Sequence, residues 1–229
     1  MSAPPNPAQA DSKASIWWRA MGFAAALAVL VVLPGLISPT ILKSHKDVPL
    51  VQALSNSRQV YTLLMQFEED WGAFLSEQTA VRLQNAVGEA RAFPLSGTSS
   101  NALLRQLIAG GYIRSEEIFH VPTAGGHPPD NRVGGLNALA PGECGFAYVT
   151  GCSSARSPGR PMLLTPLIPG TRRFDPVHFK HKAVVVFLDG SSMALNINPA
   201  GHALHDGQDI LDPAHPCWAG EPPVLAMPV

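Results

Sequence analysis

AVVVFLDGSSMALNI, residues 183–197, is the stretch that decides the fold. Ala183 to Leu188 is apolar and β-branched, Asp189-Gly190 follows, and Ser191 to Ile197 reads as a partner strand. Asp-Gly between two such runs predicts an antiparallel hairpin with a type I′ turn, which needs positive φ at both central residues. Two more short strands are expected upstream, at Phe146 to Val149 after Pro141-Gly142 and at Met162 to Leu164. No helical pattern alternates with these strands, which argues against a parallel sheet.

Before the strands, the apolar period is helical. Asp47 precedes Val48-Pro49, an acceptor side chain before a first-turn proline and hence a helix start. Leu50, Leu54, Tyr61, Leu64, Trp71 and Leu75 then mark one face of a long amphipathic helix, with Val51, Val60 and Met65 beside them. Ser55, Arg58, Gln66 and Glu69 fall on the opposite face, and the helix should end near Gly72–Ser76. A second helical pattern covers Thr79 to Ala90, closed by Phe93-Pro94 and Ser96-Gly97. Ser100-Asn101 opens a short helix through Leu103, Leu104 and Leu107, stopped by Gly110-Gly111, and Ser115-Glu116-Glu117 predicts one more turn before Ile118-Phe119. Helices first and antiparallel strands later make an α+β domain.

From Ala20 to Leu42 the chain runs 23 residues without a charged side chain. As a helix this is about 30–35 Å long, enough to cross a bilayer core. Trp17 and Trp18 stand where an interfacial aromatic belt would lie, and Arg19 and Lys43 close the two ends. The rival is a cleaved signal peptide, with Lys13 and Arg19 as its basic region and Phe23 to Leu33 as its apolar core. No small-x-small cleavage site follows, and an uncleaved anchor is expected. The resulting organisation is a disordered Ala-, Pro- and Ser-rich tail at 1–15, a transmembrane anchor at 16–42 and one exported domain at 43–229. That domain has a helical part at 47–120 and a β and loop part at 121–229. Lys13 and Arg19 against Asp11 on one side, and Lys43 and Lys46 against Asp47 on the other, leave orientation open.

Sixteen basic and 17 acidic residues give a net charge of −1 with no basic run, which argues against nucleic-acid binding and against an electrostatic membrane patch. The 22 prolines and 20 glycines crowd residues 122–176 and 199–228, so a loop-rich C-terminal region is expected around a small sheet. Cys144 and Cys152 either bridge a short loop in an oxidising compartment or pack as separate thiols; Cys217 is the odd one.

His178 and His181 are three apart, as are His202 and His205, with His215, Asp189, Asp206 and Asp209 nearby. Zinc needs three or four convergent ligands, but neither pair sits on an expected helix and no His-Glu-x-x-His or paired Cys-x-x-Cys accompanies them. Asp206-Gly207-Gln208-Asp209 with Asp212 could surround calcium but lacks the twelve-residue loop pattern. Polar loop histidines and an acidic turn are the expected reading of both. Gly-x-Ser-x-Gly, Ser-x-x-Lys and the nucleotide-binding glycine patterns do not occur. No catalytic, cofactor-binding or metal-ligating residue is therefore assigned, and no enzyme is expected.

The order of anchor, long amphipathic helix and antiparallel strands resembles the type IV pilin-like pseudopilins, and more narrowly the bacterial secretion-associated proteins with a C-terminal His…Asp-Gly element. The resemblance is carried by Asn56-Ser57-Arg58-Gln59-Val60, Phe67-Glu68-Glu69-Asp70-Trp71-Gly72-Ala73-Phe74, and Ser99-Ser100-Asn101 with Arg105-Gln106-Leu107 and Gly110-Gly111-Tyr112. It continues through Ser115-Glu116-Glu117-Ile118-Phe119, Pro129-Asp130-Asn131, Leu139-Ala140-Pro141-Gly142-Glu143 and Phe146-Ala147-Tyr148-Val149. It closes on Phe174-Asp175 and Lys182 to Ser191. The resemblance implies a pilin-like fold and a non-enzymatic, single-pass structural component of a type II secretion or pilus-like assembly. Its domain would be periplasmic, held at the bacterial inner membrane, with lipid and other membrane helices or pilin-like subunits as partners. Gly22-Phe23 fits the family's processing site, whereas Leu27 holds the fifth position, where the family has an acid. Seven residues separate His181 from Asp189 and ten separate His178 from it, neither being the family spacing, so no histidine role carries over. The alternative is a membrane-tethered ligand- or metal-binding module using the His- and Asp-rich segment 178–212.

Overall fold

The structure, a computed structural model, describes residues 48–87 and 93–229. Its compact unit runs from Pro49 to Val229. The residues expected to form a tail, an anchor and a Gly22-Phe23 processing site lie outside the described residues. No described helix is long and apolar enough to cross a membrane.

Among the described residues three α-helices precede the sheet. α1 (Val48–Trp71) buries Ala53, Val60, Leu64 and Phe67 on one face. Two buried polar groups on that face are satisfied. Asn56 Nδ2 donates to the carbonyls of Glu117 and His120, and Ser57 Oγ to Leu54 O. The helix stops at Gly72, whose φ of +70 lets its N–H close back on Glu68 O at 2.7 Å. Trp71 Nε1 donates to the Tyr112 hydroxyl, which donates to Asp70 Oδ2 at 2.6 Å and ties the end of α1 to the loop after α3.

α2 (Glu77–Val87) starts on a reciprocal cap, in which Thr79 N–H donates to Ser76 Oγ and Ser76 N–H to Thr79 Oγ1. α3 (Ser100–Ala109) is buried along all ten residues, with Ser99 Oγ accepting from Ala102 N–H at its start. Gln106 Nε2 on α3 donates to Ser76 O, fastening the two helices at the cap.

The sheet is the dominant element. Seven strands pair antiparallel in the order β6-β5-β4-β3-β2-β1-β7 and curl into a half-barrel. They are β1 (Ala147–Val149), β2 (Pro161–Thr165), β3 (Lys182–Phe187), β4 (Ser192–Ile197), β5 (Ala203–His205), β6 (Gln208–Asp209) and β7 (Leu225–Ala226). β1 and β2 are buried throughout and β3 beyond Lys182, which requires cover on both faces. β4 instead buries Leu195 and Ile197 and exposes Met193, Ala194 and Asn196, so part of it faces solvent.

The expectation of a pilin-like α+β domain with a small sheet and a loop-rich C-terminal region is overturned by the dominant seven-stranded sheet, and the transmembrane helix expected before it lies outside the described residues. The segment read as loop supplies three of the seven strands, β5, β6 and β7, each only two or three residues long. Strands that short carry no period-2 signature, and their proline- and glycine-rich surroundings conceal them.

The turn assignment is also corrected. At the β3–β4 connection only Gly190 has positive φ, +82, and Gly190 N–H bonds to Phe187 O. This is a type I turn followed by a left-handed glycine. The two-residue loop with both residues at positive φ is Asp206-Gly207, at +51 and +80, between the paired His205 and Gln208 of β5 and β6. Tyr61 of α1 sets the longer turn, because its hydroxyl donates to Leu188 O at 3.0 Å and its ring would stand 2.9 Å from a Cβ at Gly190.

A candidate carboxylate site

The loop from Pro129 to Glu143 folds around acidic side chains, which accept from the backbone N–H groups of Asp130, Arg132, Leu139 and Ala140. Glu143, which is buried, accepts from Asp130 N–H through Oε1 at 2.9 Å and from Ala140 N–H through Oε2 at 2.6 Å. Glu116, just before the 3-10 turn Glu117–Phe119, accepts from Leu139 N–H through Oε1 at 2.6 Å. Leu139 has a φ of +49, which leucine rarely adopts, and its peptide is gripped from both sides. Its carbonyl accepts from Asn101 Nδ2 and from Arg105 Nη2 on α3. Asn131 Oδ1 meanwhile accepts from Glu116 N–H and from Ser115 Oγ.

This network places one carboxylate oxygen each from Glu116, Asp130 and Glu143 within 4.8 Å of one another. Among the described residues no other group of three or more His, Cys, Asp or Glu side chains converges so closely. Glu116 is fully buried and its Oε2 has no hydrogen-bond donor. Burial pushes its carboxyl above the ordinary value, the carboxylates of Glu143 and Asp130 push the same way, and the Leu139 and Asn131 contacts pull back. Arg105 does not neutralise the group by pairing, since its donors go to the carbonyls of Pro94, Ala138 and Leu139. An exposed ion pair stands at the cluster, Arg132 Nε to Asp130 Oδ2 at 3.4 Å.

A cavity of about 320 Å³ beside this loop brings His127 and Cys144 together. They do not form an activated pair. Both His127 ring nitrogens face carbonyl oxygens, of Pro128 and Pro141, and these raise its pKa by favouring the doubly protonated ring. Burial pushes the Cys144 thiol up to about 11, the opposite of what a nucleophile requires. A larger groove of about 570 Å³ along Ser76, Glu77, Leu103, Thr150 and Val224 has no histidine, cysteine or lysine among its described lining.

The residues weighed from sequence fall into separate pairs. His178 Nε2 lies 3.4 Å from Asp175 Oδ2, and His202 Nδ1 lies 2.6 Å from Asp209 Oδ2. His215 uses Nε2 on His205 O and Nδ1 on Cys217 N–H. Asp209 and Asp212 each accept from a backbone N–H two residues on, as turn acids do. Cys144, Cys152 and Cys217 are free thiols. No spacing rule could reveal the carboxylate group, since its members stand 14 and 13 residues apart on three loop segments. Asp130-Asn131 and Pro141-Gly142-Glu143, acids set in turn-rich sequence, were the only signal. No protein-family model matches the chain, and no curated protein or solved structure matches it.

Proposed function

We propose that the chain is a non-enzymatic, membrane-anchored structural component of the pseudopilin-like kind, acting in a type II secretion or pilus-like assembly at the bacterial inner membrane. One observation carries this reading. Separated in sequence by five residues from the uncharged 20–42 run, α1 begins with Val48 and Val51 exposed, while its later apolar positions Val60, Leu64 and Phe67 are buried in the domain. Apolar side chains left outside at the membrane end of such a helix suit contact with another helix.

A photo-crosslinking residue at Val51 of the full chain, expressed in membranes, tests the proposal. The expected result is a chain that resists alkaline carbonate extraction and forms an adduct with a second copy or another membrane protein, lost when Val48 and Val51 are both changed to serine. Release by carbonate, or no adduct, overturns it.

A further inference from the structure

We propose that Glu116, Asp130 and Glu143 bind a divalent cation, calcium by preference, which clamps the Pro129–Glu143 loop to the turn that supports α1. The donor set is all carboxylate, which suits hard cations rather than zinc or copper. Calcium accepts roughly six to eight oxygens in flexible geometry, whereas magnesium demands a near-ideal octahedron and is usually held by only one or two carboxylates. Three carboxylates set on loop backbone, each offering an oxygen within 4.8 Å of the others, suit the more permissive ion.

Glu116 also carries an orphan oxygen. Glu116 is fully buried, Oε1 is engaged by Leu139, and Oε2 has no donor although two further carboxylates stand beside it. A buried acceptor in that position calls for a positive partner. Glu143 spends one acceptor site per oxygen on Asp130 and Ala140 and retains the others for a metal. Asp130, the exposed member, would close the site from the solvent side.

The clamp has a structural consequence, because Glu117 O and His120 O just beyond Glu116 accept from Asn56 of α1. Metal binding would stiffen the path from the loop to that helix. This inference stands independently of membrane anchoring.

The test uses the full purified chain, stripped with a chelator and titrated with calcium or magnesium chloride. Heat uptake gives the stoichiometry, and the melting midpoint reports the coupling to stability. One calcium per chain and a saturable rise in midpoint, with magnesium clearly weaker, are expected. Asp130→Asn keeps the Arg132 N–H contact and should melt normally without metal, yet bind calcium about tenfold or more weakly. Glu116→Gln should abolish binding. The proposal is overturned by the absence of saturable binding at millimolar calcium, or by equal affinity in Asp130→Asn and wild type. It is equally overturned if Glu116→Gln stabilises the metal-free chain and wild type binds no calcium, which would make the cluster a carboxyl pair sharing a proton.

Discussion

Cys144 shows how burial turns a small side chain into a pH sensor of stability. Its Sγ donates to Phe146 O at 3.5 Å and lies 3.7 Å from Ser100 Oγ, but these contacts do not offset desolvation, and the thiol rises from 9.0 to about 11. The native state therefore holds a proton that the unfolded chain releases first. Stability is unaffected below about pH 9, falls as pH climbs from 9 towards 11, and is level beyond. Two units correspond to about 3 kcal/mol at the upper end. Cys144→Ala should lose less stability over that window than wild type, measured as the pH slope of the unfolding free energy. Parallel slopes would show that Cys144 does not contribute. Cys152, pushed up to about 11, and Cys217, to about 12, add losses of the same sign in both proteins.

At the scale of elements, α1 is anchored by what its buried face touches. Leu64 is completely buried, and a carboxylate there would have no partner, so Leu64→Asp should destabilise the domain by several kcal/mol. Urea denaturation of the full chain measures this, and an unchanged midpoint would show that the α1 packing is wrong. This face was legible in part: Val60 and Leu64 stood in the expected apolar stripe and are buried, whereas Val51, placed beside it, is exposed and Ala53, Asn56, Ser57 and Phe67 are buried unannounced. β3 and β4 were legible too, through a β-branched run and its neighbour. Turn geometry was less accessible. Two Asp-Gly pairs carry the same local preference, and tertiary contact separates them: Tyr61 sits against Gly190, whereas a Cβ at Gly207 would meet open space. The carboxylate triad was hidden for a related reason. Glu116 reads locally as the start of a helical turn, and only the path of the Pro129–Glu143 loop brings Asp130 and Glu143 back to it.

For the molecule as a whole, the strand order implies a gradient of stability from the sheet's centre to its edges. β3 pairs with β2 on one side and β4 on the other, and five of its six residues are buried. β6 and β7 are two-residue strands at the two edges, each with one paired neighbour. Opening an edge breaks a few hydrogen bonds and exposes little apolar surface, whereas opening β3 exposes Val184, Val185 and Val186 and undoes the sheet. Amide hydrogen exchange should therefore find β3 exchanging only through global unfolding, with β6 and β7 exchanging through local opening at lower free energy. Short edges also limit strand-to-strand association between copies. Protection of Gln208–Asp209 or Leu225–Ala226 equal to that of β3 would show that the edges do not open locally and would overturn the gradient.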